Sequence, residues 1–175
     1  MDTSKILSDE HQHILKVISA LDSEIQELES EKDIESDFFT KTIDFIRNYA
    51  DKFHHAKEED ILFKEFNKCI KENPECVHCN PTEQMLVEHD EGRKFVKGME
   101  TRLNENDKIK VVRNARAYAE LLKDHIYKED NILYPMADET LNTKIQESML
   151  KKFEEIDKER SVDKKKYLAF VKNLN

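Results

Sequence analysis

The stretch His54-His55-Ala56-Lys57-Glu58-Glu59-Asp60-Ile61-Leu62-Phe63 decides how the chain is read. Ile43, Ile46, Ala50, Phe53, Ile61 and Leu62 recur through it at helical spacing, and His54 and Glu58 fall on or beside that apolar stripe. One helix therefore turns an imidazole and a carboxylate inward together. Four residues of α-helix set them about 6 Å apart along the axis, near enough to serve one metal centre inside a helix bundle. His55 and Glu59 repeat the spacing about 100° around the helix, and that phase assigns them to the surface or to a supporting position beside the ligands.

A similar phrase returns as His125-Ile126-Tyr127-Lys128-Glu129-Asp130-Asn131-Ile132-Leu133-Tyr134-Pro135. Both run His, three residues, Glu, an acid, then a short apolar run with Ile-Leu and an aromatic. Two single histidines, His11 and His89, each follow a glutamate (Glu10, Glu88) within a helical pattern. One histidine on an apolar face is ordinarily a satisfied core or boundary residue. Four such segments point instead to one buried site, because Glu58 and Glu129 would be costly inside an apolar bundle without a positive partner.

Working outward, Leu7, His11, Ile14, Leu15, Ile18, Leu21, Ile25 and Leu28 mark a first helix that begins between Ser4 and Asp9 and ends near Glu29. The second runs from about Asp37 to Cys69. Two prolines and two asparagines make residues 71–81 a loop, and Asn80-Pro81 with Glu83 starts a third helix that reaches Asn104. Within it Gly92, one turn after His89, is either a tolerated surface glycine or a point of close approach. The fourth helix starts near Asp107 and is predicted to stop before Pro135, since the residue preceding a proline is biased away from helical geometry. The expected fold is all-α: an up-and-down antiparallel four-helix bundle over residues 1–137, with a C-terminal helical extension, 138–175, packed on the same domain.

Of 175 residues, 38% are charged and 38% hydrophobic, with two glycines, which suits long helices with charged outer faces. The net charge of −9 opposes adhesion to nucleic acid or anionic lipid and favours metal cations as partners. No 18-residue apolar run exists, and Asp9, Glu10, His11 and His13 lie where an export signal would need apolar residues, so a cytoplasmic location is expected. Three cysteines do not make a disulfide scaffold. Cys76 and Cys79 form a C-x-x-C loop that suits a redox pair or zinc, against the plainer reading of reduced loop thiols.

Taken in order, Leu7 to His11, His54 to Glu59 with Ile61-Leu62-Phe63, Glu88 to Arg93, and His125 to Asp130 with Ile132 to Pro135 resemble the hemerythrin-like family, the HHE cation-binding domain. The resemblance spans about residues 4–137. It implies a non-heme di-iron centre, with an oxo, hydroxo or water bridge, in a protein that binds or senses dioxygen or related oxidants. Alternatives are an oxidoreductase acting on peroxide or nitric oxide, and an iron-homeostasis or interaction protein without turnover. A sensor would need a protein partner. Residue by residue, the resemblance makes His11, His54, His89 and His125 terminal ligands and Glu58 and Glu129 bridging carboxylates, with Asp130 the alternative to Glu129. Helical phase favours Glu129. Glu10, Glu88 and Tyr118 are candidate neighbours of the ligands. The chain departs from the oxygen carriers at Met85, where they have a histidine, and a thioether is a poor ligand for such iron.

Overall fold

The computed structural model of the protein describes residues 3–30, 32–76 and 79–174, the side chain of Cys76 excepted. Six helical rods account for nearly all of them. Helix α1 is Thr3–Glu29. Helix α2 is composite: Ser36–Phe45 is α-helical, Ile46–His55 and Glu58–Leu62 are π-helical, and Phe63–Glu72 is α-helical again. Helix α3 is Thr82–Asn104. Helix α4 joins Lys108–Lys128 to Tyr134–Thr140 through a π-helical turn, Glu129–Leu133. Helices α5 (Thr143–Glu159) and α6 (Ser161–Lys172) complete the chain.

The order of apolar and polar residues along each rod gives the topology. One apolar cluster holds Leu7, Ile61, Phe66, Met85 and Leu133; the other holds Ile14, Phe53, Val96 and Leu122. Helices α1 and α3 pass from the first cluster to the second, and α2 and α4 pass from the second to the first. That alternation is an up-and-down, antiparallel four-helix bundle. Between the clusters each of the four bundle helices carries buried polar residues: Glu10 and His11 on α1, His54, His55, Lys57 and Glu58 on α2, His89 on α3, His125 and Glu129 on α4. Two apolar cores thus enclose one polar layer.

Helix starts follow local chemistry. Asn80 Oδ1 accepts from the Thr82 amide at 3.1 Å, Asp107 Oδ1 from the Lys110 amide at 3.1 Å, and Asn142 Oδ1 from the Ile145 amide at 3.1 Å. Asn106, at φ 54°, makes the left-handed turn between α3 and α4, a conformation asparagine tolerates. Among the described residues no helix is long and apolar enough to cross a membrane.

The fourth rod does not stop before Pro135. Tyr134 is helical at φ −65°, ψ −46°, and its amide donates to the Glu129 carbonyl five residues back. In that wide turn Pro135 opens the next helical stretch, where a missing N–H costs little. Beyond it, Met149 and Phe153 of α5 join the first cluster, and Tyr167 and Val171 of α6 join the second. The terminal pair therefore runs along the outside of the bundle from one core to the other, passing the polar layer.

Candidate metal centre

Three wide turns shape the centre. The Ala56 amide donates to the Asp51 carbonyl, Phe63 to Glu58 and Tyr134 to Glu129, each five residues back. Such π turns advance each residue by less than the 100° of an α-helix, so adjacent side chains stay on one face for longer. On α2 the consequence is that His54 and His55 both point inward, at 1% and 7% exposure. His55, expected at the surface or in a supporting position beside the ligands, lies instead among the candidate ligands themselves. Its ring stacks on His89 with centroids 3.7 Å apart, and its nitrogen falls among those of His89 and His125.

Two groups of candidate ligands result. His11, His54, Glu58 and Glu129 offer one atom each within 4.8 Å of one another, and so do His55, His89 and His125. The carboxylates lie between the groups. Glu129 Oε2 is 3.3 Å from His11 Nε2, while its Oε1 is 3.2 Å from His125 Nε2; Glu58 Oε2 is 3.6 Å from both His54 Nε2 and His89 Nε2.

Four of the imidazoles are oriented in the same way. His11 Nδ1 meets Asp130 at 2.9 Å, His54 Nδ1 meets Glu10 at 3.0 Å, His89 Nδ1 meets Glu59 at 2.7 Å and His125 Nδ1 meets Glu88 at 2.9 Å. Ionised carboxylates only accept, so each Nδ1 carries a hydrogen and each Nε2 faces inward, where loss of any proton on it leaves a lone pair for a metal. Asp130 thus lies outside the ring of inward nitrogens, occupied by His11 and by the Ser8 hydroxyl at 2.6 Å. Each orienting acid has a second partner as well: Lys57 for Glu10, Arg93 for Glu59 and Lys128 for Glu88.

Several polar atoms inside that ring lack partners. Among the described residues, His54 Nε2, Glu58 Oε2 and both Glu129 oxygens are buried without a hydrogen bond. Each such atom costs about 1–3 kcal/mol, and more when charged. His89 Nε2 and His125 Nε2 face each other at 3.0 Å, which two lone pairs do not tolerate without a cation or proton between them. Burial, followed by the charge of Glu129, pushes Glu58 well above the ordinary carboxylate range. Burial acts on Glu129 in the same direction, but His125 and His11 outweigh it and hold it well below. Against the effect of burial, Asp130 and Glu129 raise His11 to about 9, and Glu129 and Glu88 raise His125 to about 10. Protons on imidazoles supply the positive charge that Glu129 requires, while the upward shift of Glu58 favours its neutral form. A divalent cation matches the same donors, and the result is a buried His/Glu cluster geometrically suited to a di-iron site.

Aromatic residues close the layer. Phe63 stacks near His89, with centroids 6.1 Å apart, and Tyr134 stacks on His11 at 5.5 Å. They end the two similar phrases of sequence, and only Tyr134 has a hydroxyl, which donates to Glu58 Oε1 at 2.5 Å. Helical phase gives Tyr134 no part in the site, although its place at the end of the repeated phrase is a signal. Met85, 1% exposed, packs in the apolar cluster beyond the layer.

A cavity of about 470 Å³ opens beside the second group, walled in part by His55, His89, His125, Gly92, Arg93 and Tyr118. Gly92 is buried, not a surface glycine: a Cβ there would meet Tyr118 Cε2 at 3.4 Å. The Tyr118 hydroxyl is buried without a partner. Burial raises its pKa well above the usual phenol value. Of the C-x-x-C loop, the Cys76 side chain lies outside the described residues, and Cys79 is exposed.

The Hemerythrin HHE cation binding domain family matches residues 2–137 of the chain. No curated protein and no solved structure shows significant similarity to it.

Proposed function

Since the chain belongs to the hemerythrin HHE cation-binding family, we propose that it is a non-heme di-iron protein that binds or senses dioxygen or a related small oxidant. The observation that carries this reading is the set of imidazoles held by carboxylates at Nδ1, with Nε2 turned toward two glutamates whose inner oxygens have no other partner. His11 and His54 would hold one ion and His55, His89 and His125 the other, with Glu58 and Glu129 spanning both. Glu129 is preferred to Asp130 because the latter is engaged at the back of His11. His55 would supply the fifth imidazole that Met85 does not.

Iron at these positions would supply reversible electron transfer and sites for a small ligand. The protein's own groups would set the surroundings. Tyr134 fixes one Glu58 oxygen, the apolar clusters on either side exclude water, and Tyr118 presents an unengaged hydroxyl at the cavity wall. A second reading, turnover of peroxide or nitric oxide, draws support from the cavity, which is far larger than a diatomic ligand needs.

Anaerobic titration with ferrous iron is expected to load two ions per chain, and His54→Ala to lose iron with the helical fold retained. Unchanged iron content in that variant would overturn the assignment. On admission of oxygen, an absorption band that disappears under vacuum identifies binding or sensing. Steady consumption of peroxide or nitric oxide identifies the second reading.

A further inference from the structure

The four carboxylates behind the imidazoles are not equivalent. Arg93, Lys128 and Ser8, which support Glu59, Glu88 and Asp130, come from residues within the family match. Glu10 is supported differently. Its Oε2 holds His54 Nδ1 at 3.0 Å, and its Oε1 accepts from Lys57 Nζ at 2.5 Å. Lys57 is fully buried, with its nitrogen 4.0 Å above the Phe53 ring, and its other acceptor is Asp157 Oδ1 at 2.5 Å. Asp157 belongs to α5, beyond the matched residues, and also accepts from Lys164 on α6. A continuous path thus leads from the back of His54, at Nδ1, through Glu10 and Lys57 to the two terminal helices.

We propose that Asp157 is a positioning residue for the first group of ligands, acting through Lys57 and Glu10 on His54, so that the terminal helices form part of the metal centre. The inference rests on the ligand role proposed for His54. A buried carboxylate shared by an imidazole N–H and a lysine divides its field between them, and little water is present to screen either contact. Asp157 draws on the same lysine from the other side. It therefore leaves more of the Glu10 charge to His54, which makes that imidazole a stronger donor at Nε2. Without the Asp157 charge, Lys57 leans on Glu10 alone and His54 becomes a weaker donor.

The test uses the full chain, with ferrous iron as the probe, titrated anaerobically against a chromophoric chelator. Asp157→Asn is expected to weaken one of the two ions about tenfold, the lower end of what neighbours of metal ligands contribute, and to raise the midpoint potential of the centre. Asp157→Glu should restore most of the affinity. Glu65→Gln is the control. It removes another contact between α5 and the bundle, Lys152 Nζ to Glu65 Oε1 at 3.0 Å, which has no path to an imidazole. Its iron affinity and potential should match wild type. Wild-type affinity in Asp157→Asn, equal weakening of both ions, or an equal effect of Glu65→Gln would each overturn the proposal while leaving the metal site intact. A wild-type chain that takes up no ferrous iron would overturn both.

Discussion

At the scale of single residues, the centre is a problem of charge. Two glutamates at 0% exposure face five imidazoles at 7% or less, and without a cation the balance is kept by protons. His11 and His125, raised to about 9 and about 10, carry protons at pH 7 that a metal would displace. Metal uptake at pH 7 is therefore expected to release protons into a weakly buffered indicator solution. Affinity should climb as pH rises from 7 toward 10, because fewer protons then compete, and level off above that. Uptake without proton release, or affinity that falls over this range, would contradict the protonation state assigned to the two histidines. Tyr134 shows how one oxygen atom breaks an internal likeness. The aromatic residues that end the two phrases stack on histidines, yet only Tyr134 also ties down a carboxylate.

At the scale of elements, the bundle and the inward placement of most candidate ligands were legible because α-helical phase holds along α1 and α3. His11 and His89 lie on apolar stripes there, and the stripe alone turns them inward. His55 was not legible, since a 100° step places it off the stripe and nothing in the residue types announces a wide turn. The turn at Glu129–Leu133 hid the continuation of α4 through Pro135 for the same reason. The partnerless hydroxyl of Tyr118 depends on the opposing surface of α3, where Gly92 lets the ring lie close. Gly92→Ala tests that approach. Alanine improves intrinsic helix propensity by about 0.8–1 kcal/mol, and the added methyl would meet the ring at an ordinary contact distance. Thermal melts followed by circular dichroism should show a midpoint higher by about 2–4 °C. Azide should reach the iron-loaded centre more slowly in stopped-flow traces. A lower midpoint would mean that the ring cannot accept the methyl.

At the scale of the molecule, the terminal helices contribute to both cores. Removing residues 141–175 would strip Leu141, Met149, Phe153, Tyr167 and Val171 from the two clusters and Asp157 from Lys57. Burial of those five side chains is worth on the order of 10 kcal/mol, comparable with the whole net stability of a typical domain. The shortened chain is expected to lose its cooperative melt, and a transition at the wild-type temperature would contradict this. The cavity bears on the molecule as a whole in another way. Its wall includes His55, His89 and His125 but none of His11, His54, Glu58 or Glu129. Ions entering by that door would form a queue: the first must move past the two acids to the inner berth before a second can take the outer one, and on departure the last to arrive is the first to leave.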